Sequence, residues 1–305
     1  MRYADRYGRE VIVELDFATA SHFRDDFSFY FTSHDANLIL TSAGVRADFD
    51  QLQTFPPEFK GRISSYRAQF STSVMASVDV ETGRIPNFDF SRDYSEPLLL
   101  SHASGGGIRK AEIALRRLSL SEELRCEVQN RLARIGGSYT SIHIRNTDFT
   151  TDYQMRVEAL AGKISGPIYV ATDNQEALQF CKTLFGNTRA FNFSTLPDDG
   201  GKPMHSNALL DARQSNFDAI CDLILLASAT TYYFFPLSNP QLTGATYSGF
   251  SRLAELLHKD KALLRQFVDS REFGSFARLR LRGRKMLYRC FGLASALMPA
   301  KRRSH

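Results

Sequence analysis

Six residues, His143-Ile144-Arg145-Asn146-Thr147-Asp148, close a β-prone run that begins at Tyr139. Alternation along a strand turns His143 and Arg145 to the same face, and a guanidinium at a strand end offers a two-pronged donor fork to phosphate oxygens. The plain alternative is an Arg145–Asp148 ion pair at a loop entry. A second group, Ser248-Gly249-Phe250-Ser251-Arg252, has Ser248 where an N-cap is expected and Gly249 without a side chain after it. Exposed N–H groups and the positive end of a helix dipole make such a start a ready anion site, although an ordinary capped helix looks the same. Asp222 is the third feature, a carboxylate beside the apolar run Leu223-Ile224-Leu225-Leu226. Buried there it must be paired or must bind something; on the solvent edge of its helix, one turn after Asp218, it needs neither.

Other signals are weaker. Asp48-Phe49-Asp50 matches the DxD pattern that holds a divalent metal in some glycosyltransferases, but a tripeptide this short arises by chance. His205 sits in the polar stretch Gly201-Lys202-Pro203-Met204-His205, where it either lines a site or is merely exposed. There is no GxGxxG, P-loop lysine or HExxH, and Cys126, Cys181, Cys221 and Cys290 are too scattered to form a zinc cluster. Unclustered free thiols suit a reducing compartment and fill apolar positions.

Elements that can position these groups follow from periodicity. A helix is expected over Met1 to Tyr7, stopped by Gly8, then a strand from Val11 to Leu15 and an apolar run at Leu38 to Leu40. Pro56, Pro57, Pro86 and Pro97 punctuate the region from 46 to 100, and Ser104-Gly105-Gly106-Gly107 marks a domain boundary. Ser119 with Glu122 reads as a capping box, opening a helix whose Leu124, Val128, Leu132 and Ile135 share one face. Strands are expected at Tyr139–Ile144, Ile168–Val170, Arg189–Phe193 and Thr231–Phe235. Helices are expected after Asp173, which with Glu176 forms a second capping box, from Ser215 to Ala227, and from Ser248 to His258. Strands alternating with helices mean βαβ units and a parallel sheet, and ligands of such sheets sit at the carboxyl ends of the strands.

The chain has 305 residues, long enough for two domains, with 43% hydrophobic and 23% charged residues. Its N-terminus is charged and lacks the apolar core of a signal peptide, and Ala219 to Leu237 reads as helix then strand rather than a membrane span, so the expected location is cytoplasmic. The net charge of +5 belongs to the tail: residues 271–305 hold ten Lys or Arg against one acid, which leaves the first 270 residues at −4. Such a tail, mixing Phe, Leu and Met with arginines, suits an anionic membrane surface, or else serves solubility. Nucleic acid is not expected as a partner, because the body is slightly acidic and carries no recognition motif.

The order of the motifs resembles a known family. His143-x-Arg145-x-Thr147-Asp148, then Tyr169-Val-Ala-Thr-Asp173, then Asp222-Leu-Ile-Leu-Leu-Ala-Ser228, then Ser248-Gly-Phe-Ser-Arg-Leu-Ala254 resembles the catalytic half of the α1,6- and protein O-fucosyltransferase superfamily, bacterial nodulation-factor fucosyltransferases included. The match is good over roughly 138 to 258 and loose over 20 to 105. It implies a GT-B arrangement, α/β with two Rossmann-like domains facing a cleft. Residues 1–105 are then an incomplete acceptor-side domain lacking the family's first strand and Gly-rich turn, 106–270 the GDP-sugar-binding domain and 271–305 a basic tail.

The resemblance further implies that Arg145 grips the β-phosphate of GDP, His143 helps seat the nucleotide and Asp222 reads guanine. Ser248 and the following amides of Gly249, Phe250 and Ser251 would hold the diphosphate. Asp173 stands where the family has acids near the donor, a role its capping box explains equally well. Inversion wants a base near the acceptor hydroxyl, and Asp148 and Asp152 are the nearest acids. The expected activity is metal-independent transfer of fucose, or a related sugar, from a GDP-sugar to a glycan or lipid-linked oligosaccharide, with no cofactor. A truncated, non-catalytic binder of GDP or glycan and another Rossmann enzyme using a nicotinamide or methyl donor are the alternatives. The second is disfavoured by the lack of a glycine fingerprint.

Overall fold

In chain order the first hundred residues contribute short pieces: α1 (Arg2–Tyr7), β1 (Val11–Ile12), β2 (Phe31–Ser33), β3 (Leu38–Ile39), α2 (Arg46–Phe49), β4 (Thr54–Phe55), β5 (Ala68–Ser71), β6 (Ala76–Asp79) and β7 (Leu98–Leu99). Longer elements follow: α3 (Gly107–Leu115), β8 (Leu118–Leu120), α4 (Glu122–Ile135), β9 (Thr140–Ile144), α5 (Tyr153–Ala161), β10 (Ile168–Thr172) and α6 (Gln175–Phe185). The chain closes with β11 (Ala190–Phe191), α7 (Ala212–Ser228), β12 (Thr231–Phe234), α8 (Gly249–Lys259) and α9 (Lys261–Val268). This computed structural model describes residues 1–13, 25–40, 46–71, 73–74, 76–102, 107–196, 211–238 and 246–268. Leu15, Ser104 to Gly106, His205, Cys290 and the tail 271–305 lie outside them.

The α/β class is realised in a four-stranded parallel sheet, ordered β11-β10-β9-β12. Alternation splits the side chains of its central strands between two cores. Ile142, Ile144, Ile168 and Val170 pack with Val157 of α5 and Leu178, Cys181 and Phe185 of α6. Tyr169 and Ala171 turn to the other face, against Ile220, Leu223 and Ile224 of α7 and Leu124 and Val128 of α4. The chain runs outward from β9 to β10 to β11, then returns through α7 to place β12 on the opposite side of β9. The switch point therefore lies at the carboxyl ends of β9 and β12, where such sheets bind ligands.

Residues ahead of 105 share this core. β2 pairs antiparallel with β8, and Tyr30, Phe31, Leu38 and Leu40 pack with Leu115, Leu120, Leu124 and Phe267. The core thus straddles the boundary expected at 105. The rest of the first half is two-stranded among the described residues: β1 with β3, whose Val11 and Leu38 join the same large core, β4 with β7, and β5 with β6, where Leu98 and Ala68 belong to a small core with Phe59, Ile63 and Tyr66.

Boundaries differ from expectation in physical detail. Both expected capping boxes are displaced. Ser119 is fully buried in β8, its hydroxyl paired with Thr32 at 2.9 Å, and the cap of α4 is Ser121, which accepts the Leu124 N–H. Asp173 is not the cap of α6 either; Asn174 is, accepting the Ala177 N–H at 2.8 Å. In both cases a neighbouring polar residue completes the turn, because the strand or loop claims the first one. β1 stops at Ile12 and β11 spans only Ala190–Phe191, while α7 starts early, at Ala212, on an Asp211 cap.

One buried ion pair ties α4 to α7. Arg131 donates to Asp218 at 2.6 Å and to Glu127 at 2.7 Å, and Asp218 also accepts the Thr195 N–H at 3.1 Å. The Arg131 and Asp218 side chains are 5% and 2% exposed, so removing one partner strands the other charge out of water. Asp218→Asn is expected to lower unfolding stability by about 3 kcal/mol, while Asp218→Leu combined with Arg131→Met recovers much of it; urea unfolding of both variants checks this.

Candidate functional site

His143 lies on β9, on the face that turns toward α7 and α8, and is buried. Its Nδ1 hydrogen-bonds the Ser251 hydroxyl at 2.6 Å, and its ring meets that of Phe250 with centroids 5.1 Å apart. Ser248 caps α8 by accepting the Ser251 N–H, and the Tyr232 hydroxyl of β12 donates to the Ser251 carbonyl at 3.2 Å. The first turn of α8 is thus fixed from both strands of the switch point. A Cβ at Gly249 would meet nothing within 4 Å, so the helix start is open to an approaching group. Burial first, and the Arg145 charge second, push the His143 imidazole down to about 3, which keeps it neutral at physiological pH. A neutral ring beside a helix N-terminus adds no repulsion against that positive end.

Arg145 emerges two residues later, as the strand ends. Its Nη2 meets Asp148 Oδ1 at 2.5 Å and its Nη1 meets Asp173 Oδ2 at 2.7 Å. The plain alternative of an Arg145–Asp148 ion pair is therefore present, with a second carboxylate that spacing did not suggest. Asp173, relieved of capping, accepts the Asn146 N–H at 2.8 Å and the Thr147 hydroxyl at 2.6 Å. The Thr151 hydroxyl donates to the Arg145 carbonyl at 3.2 Å, and the Ser238 N–H to the Thr150 carbonyl at 2.8 Å. These bonds stitch the loops after β9, β10 and β12 into one rim. Sequence reasoning gave no role to Thr147, Thr151 or Tyr232, whose contribution appears only once the loops meet.

Four of the candidates, His143, Arg145, Asp148 and Asp173, together with the 248–251 turn, thus stand at the carboxyl end of the sheet, His143 bonded to the turn and Arg145 to the two carboxylates. Asp152 is exposed at the start of α5, and its side chain makes no cap bond. Asp222 sits elsewhere. It is buried, and its Oδ1 accepts the Tyr169 hydroxyl at 2.5 Å and the Ser194 hydroxyl at 2.6 Å. Tyr169 is the second residue of β10, so Asp222 stands behind the sheet and not at its carboxyl edge. Burial raises its carboxyl to about 6, against the pull of those two hydrogen bonds. Among the described residues no group of three or more His, Cys, Asp or Glu could hold a metal; Asp50 of the DxD pattern accepts the Ser64 N–H at 3.0 Å.

No family model and no curated protein matches the sequence. Solved structures do. The chain is similar to the NodZ α1,6-fucosyltransferase soaked with GDP-fucose, with a TM-score of 0.53 at 17% identity over 84% of this chain and 85% of that one. It is likewise similar to the fucosyltransferase NodZ from Bradyrhizobium, with a TM-score of 0.51 at 17% identity and the same coverage. At this identity the likeness is one of fold. The α/β fold of those two structures is the one this chain shares.

Two outcomes test the environments described. The His143 pKa lies below that of an unfolded histidine, so the unfolded chain takes up the proton first as pH falls. Stability is then fully present above about pH 6.5 and lost by up to about 1.4 kcal/mol per unit toward pH 3. His143→Gln is expected to flatten that slope in denaturant titrations at several pH values. Asp222 has the opposite linkage: its raised pKa means stability falls as pH rises from about 4 to 6. Asp222→Asn is accordingly expected to be no less stable than wild type at pH 7.5, and thermal unfolding with GDP titration would expose any ligand role.

Proposed function

We propose that this chain is a glycosyltransferase that transfers fucose, or a related sugar, from a GDP-sugar to a glycan acceptor. One observation carries the reading: strand β9 ends at the switch point of a parallel sheet with His143 bonded to the open first turn of α8 and, two residues on, the Arg145 guanidinium. The fold shared with a fucosyltransferase that was soaked with GDP-fucose supports a nucleotide-sugar donor.

The physics of the reaction suits these groups. Breaking a glycosyl–phosphate bond builds charge on the departing diphosphate, and the main demand is to stabilise that charge. Arg145 contributes a charge-assisted N–H donor, its Nη1 staying with Asp173, and the α8 start contributes its N–H groups and roughly half a positive charge. The proposal accordingly needs no metal and no cofactor. The sugar is transferred with inversion, and Asp148 or Asp152 takes the proton of the acceptor hydroxyl. The acceptor is a glycan or a lipid-linked oligosaccharide, reached from the cytoplasmic side with the basic residues 271–305 at the membrane surface. No helix of the described residues is long and apolar enough to cross a membrane. The GT-B pairing of two Rossmann-like domains belongs to the same proposal.

Calorimetric titration of GDP into wild type and Arg145→Ala, with and without EDTA, is the direct test. The expected result is chelator-insensitive binding that weakens by about 2 kcal/mol, roughly thirtyfold, in the variant. GDP-fucose turnover by wild type, lowered on the order of a hundredfold in Arg145→Ala, would follow. Folded wild type that neither binds GDP nor turns over a GDP-sugar would end the active-enzyme reading.

A further inference from the structure

Arg145 is held by two carboxylates of unequal standing. Asp173 is buried, its side chain 6% exposed, and each of its oxygens is engaged: Oδ1 by the Asn146 N–H, Oδ2 by the Thr147 hydroxyl and by Arg145 Nη1. Asp148 is 28% exposed and lies within the loop itself. Beyond Arg145 it accepts the Phe149 N–H at 3.0 Å, and the Thr147 hydroxyl reaches it only at 3.3 Å. That hydroxyl has one proton, and the 2.6 Å contact to Asp173 claims it. Asp148 can therefore leave Arg145 for water at little cost, because a partly exposed ion pair is worth little, whereas Asp173 cannot leave without stranding three donors.

In this arrangement one guanidinium faces two carboxylates, a negative balance that repels a phosphate. Withdrawing Asp148 alone removes the excess, and it frees Nη2 while Asp173 keeps Nη1 and the backbone of the turn in place. Resting on the diphosphate reading of the site, we infer that Asp148 is an exchangeable counter-ion that gives up Arg145 to a phosphate, and that Asp173 is a positioning residue that never contacts the donor. The free site is then closed electrostatically by its own loop. It opens to a group carrying enough negative charge to displace a carboxylate, which selects diphosphates over singly charged anions. Release of Asp148 also frees its carboxylate for the acceptor side at the moment the donor arrives.

The experiment is calorimetric titration of GDP and of inorganic pyrophosphate into wild type, Asp148→Asn and Asp173→Asn, each repeated in an Arg145→Ala background. Circular dichroism and thermal unfolding confirm the fold of each variant. Asp148→Asn is expected to tighten both ligands about tenfold, since it removes the competitor, and Asp173→Asn to loosen them about tenfold. Both effects are expected to vanish with Arg145→Ala, because each acts only through the guanidinium; a purely structural role for Asp173 would persist there. If Asp173→Asn does not fold, Thr147→Val, which removes one holder of Asp173, is expected to loosen binding severalfold by the same route. Unchanged or weaker binding in Asp148→Asn overturns the exchange. Should wild type bind neither ligand, the GDP-sugar reading fails by itself. Binding gained in Asp148→Asn would then still establish the occlusion, and its absence would overturn that as well.

Discussion

Strands β9 and β10 are buried on both faces, and that constraint decides where this chain can place charge. Ile142, Ile144, Ile168 and Val170 fill one core, and Tyr169 and Ala171 the other. A polar side chain within such a strand must be neutral and hydrogen-bonded, as Ser141 is to the Leu226 carbonyl and His143 to Ser251. Full charge is deferred to the first residues past the strand ends, Arg145 and Asp173. The site is the place where two buried strands first reach water side by side.

Two arginines show how burial separates structure from chemistry. Arg131 is sealed between α4 and α7 with Asp218 and Glu127, and its charge is committed to holding two helices together. Arg145 is 24% exposed, with one partner locked and one loosely held. A guanidinium in the first setting is costly to disturb; one in the second can change partners. Asp218 and Asp222, one turn apart on α7, both fall on the structural side. Both are consumed by the packing of the helix, one by an arginine and one by two hydroxyls.

The motifs were legible because their chemistry depends on short spacing. Period-two alternation put His143 and Arg145 on one face, and Ser248 was recognisable as a cap three residues ahead of the N–H it accepts. Misreadings arose where two neighbouring residues competed for one local role. Ser119 and Ser121 both suit a cap, and so do Asp173 and Asn174; only strand pairing with β2, and the demand of Arg145 for a second carboxylate, settled which served. For Asp222 pairing, ligand binding and exposure stayed open, since nothing local reveals that the Tyr169 hydroxyl lies across the helix–sheet interface.

By itself the sequence determined the alternation of strands and helices, the parallel sheet, the strand-end position of Arg145 and the capped start at Ser248, all of which rest on contacts within a few residues. The tertiary structure alone decided that β12 returns beside β9, so that the α8 turn meets His143, and that residues 30–40 complete the core across the expected boundary. It alone decided that Asp173 turns from its own helix to Arg145, and that Asp222 turns inward to Tyr169. Each of these joins residues distant in the chain, and such pairings are set by how whole elements pack rather than by any periodicity along it.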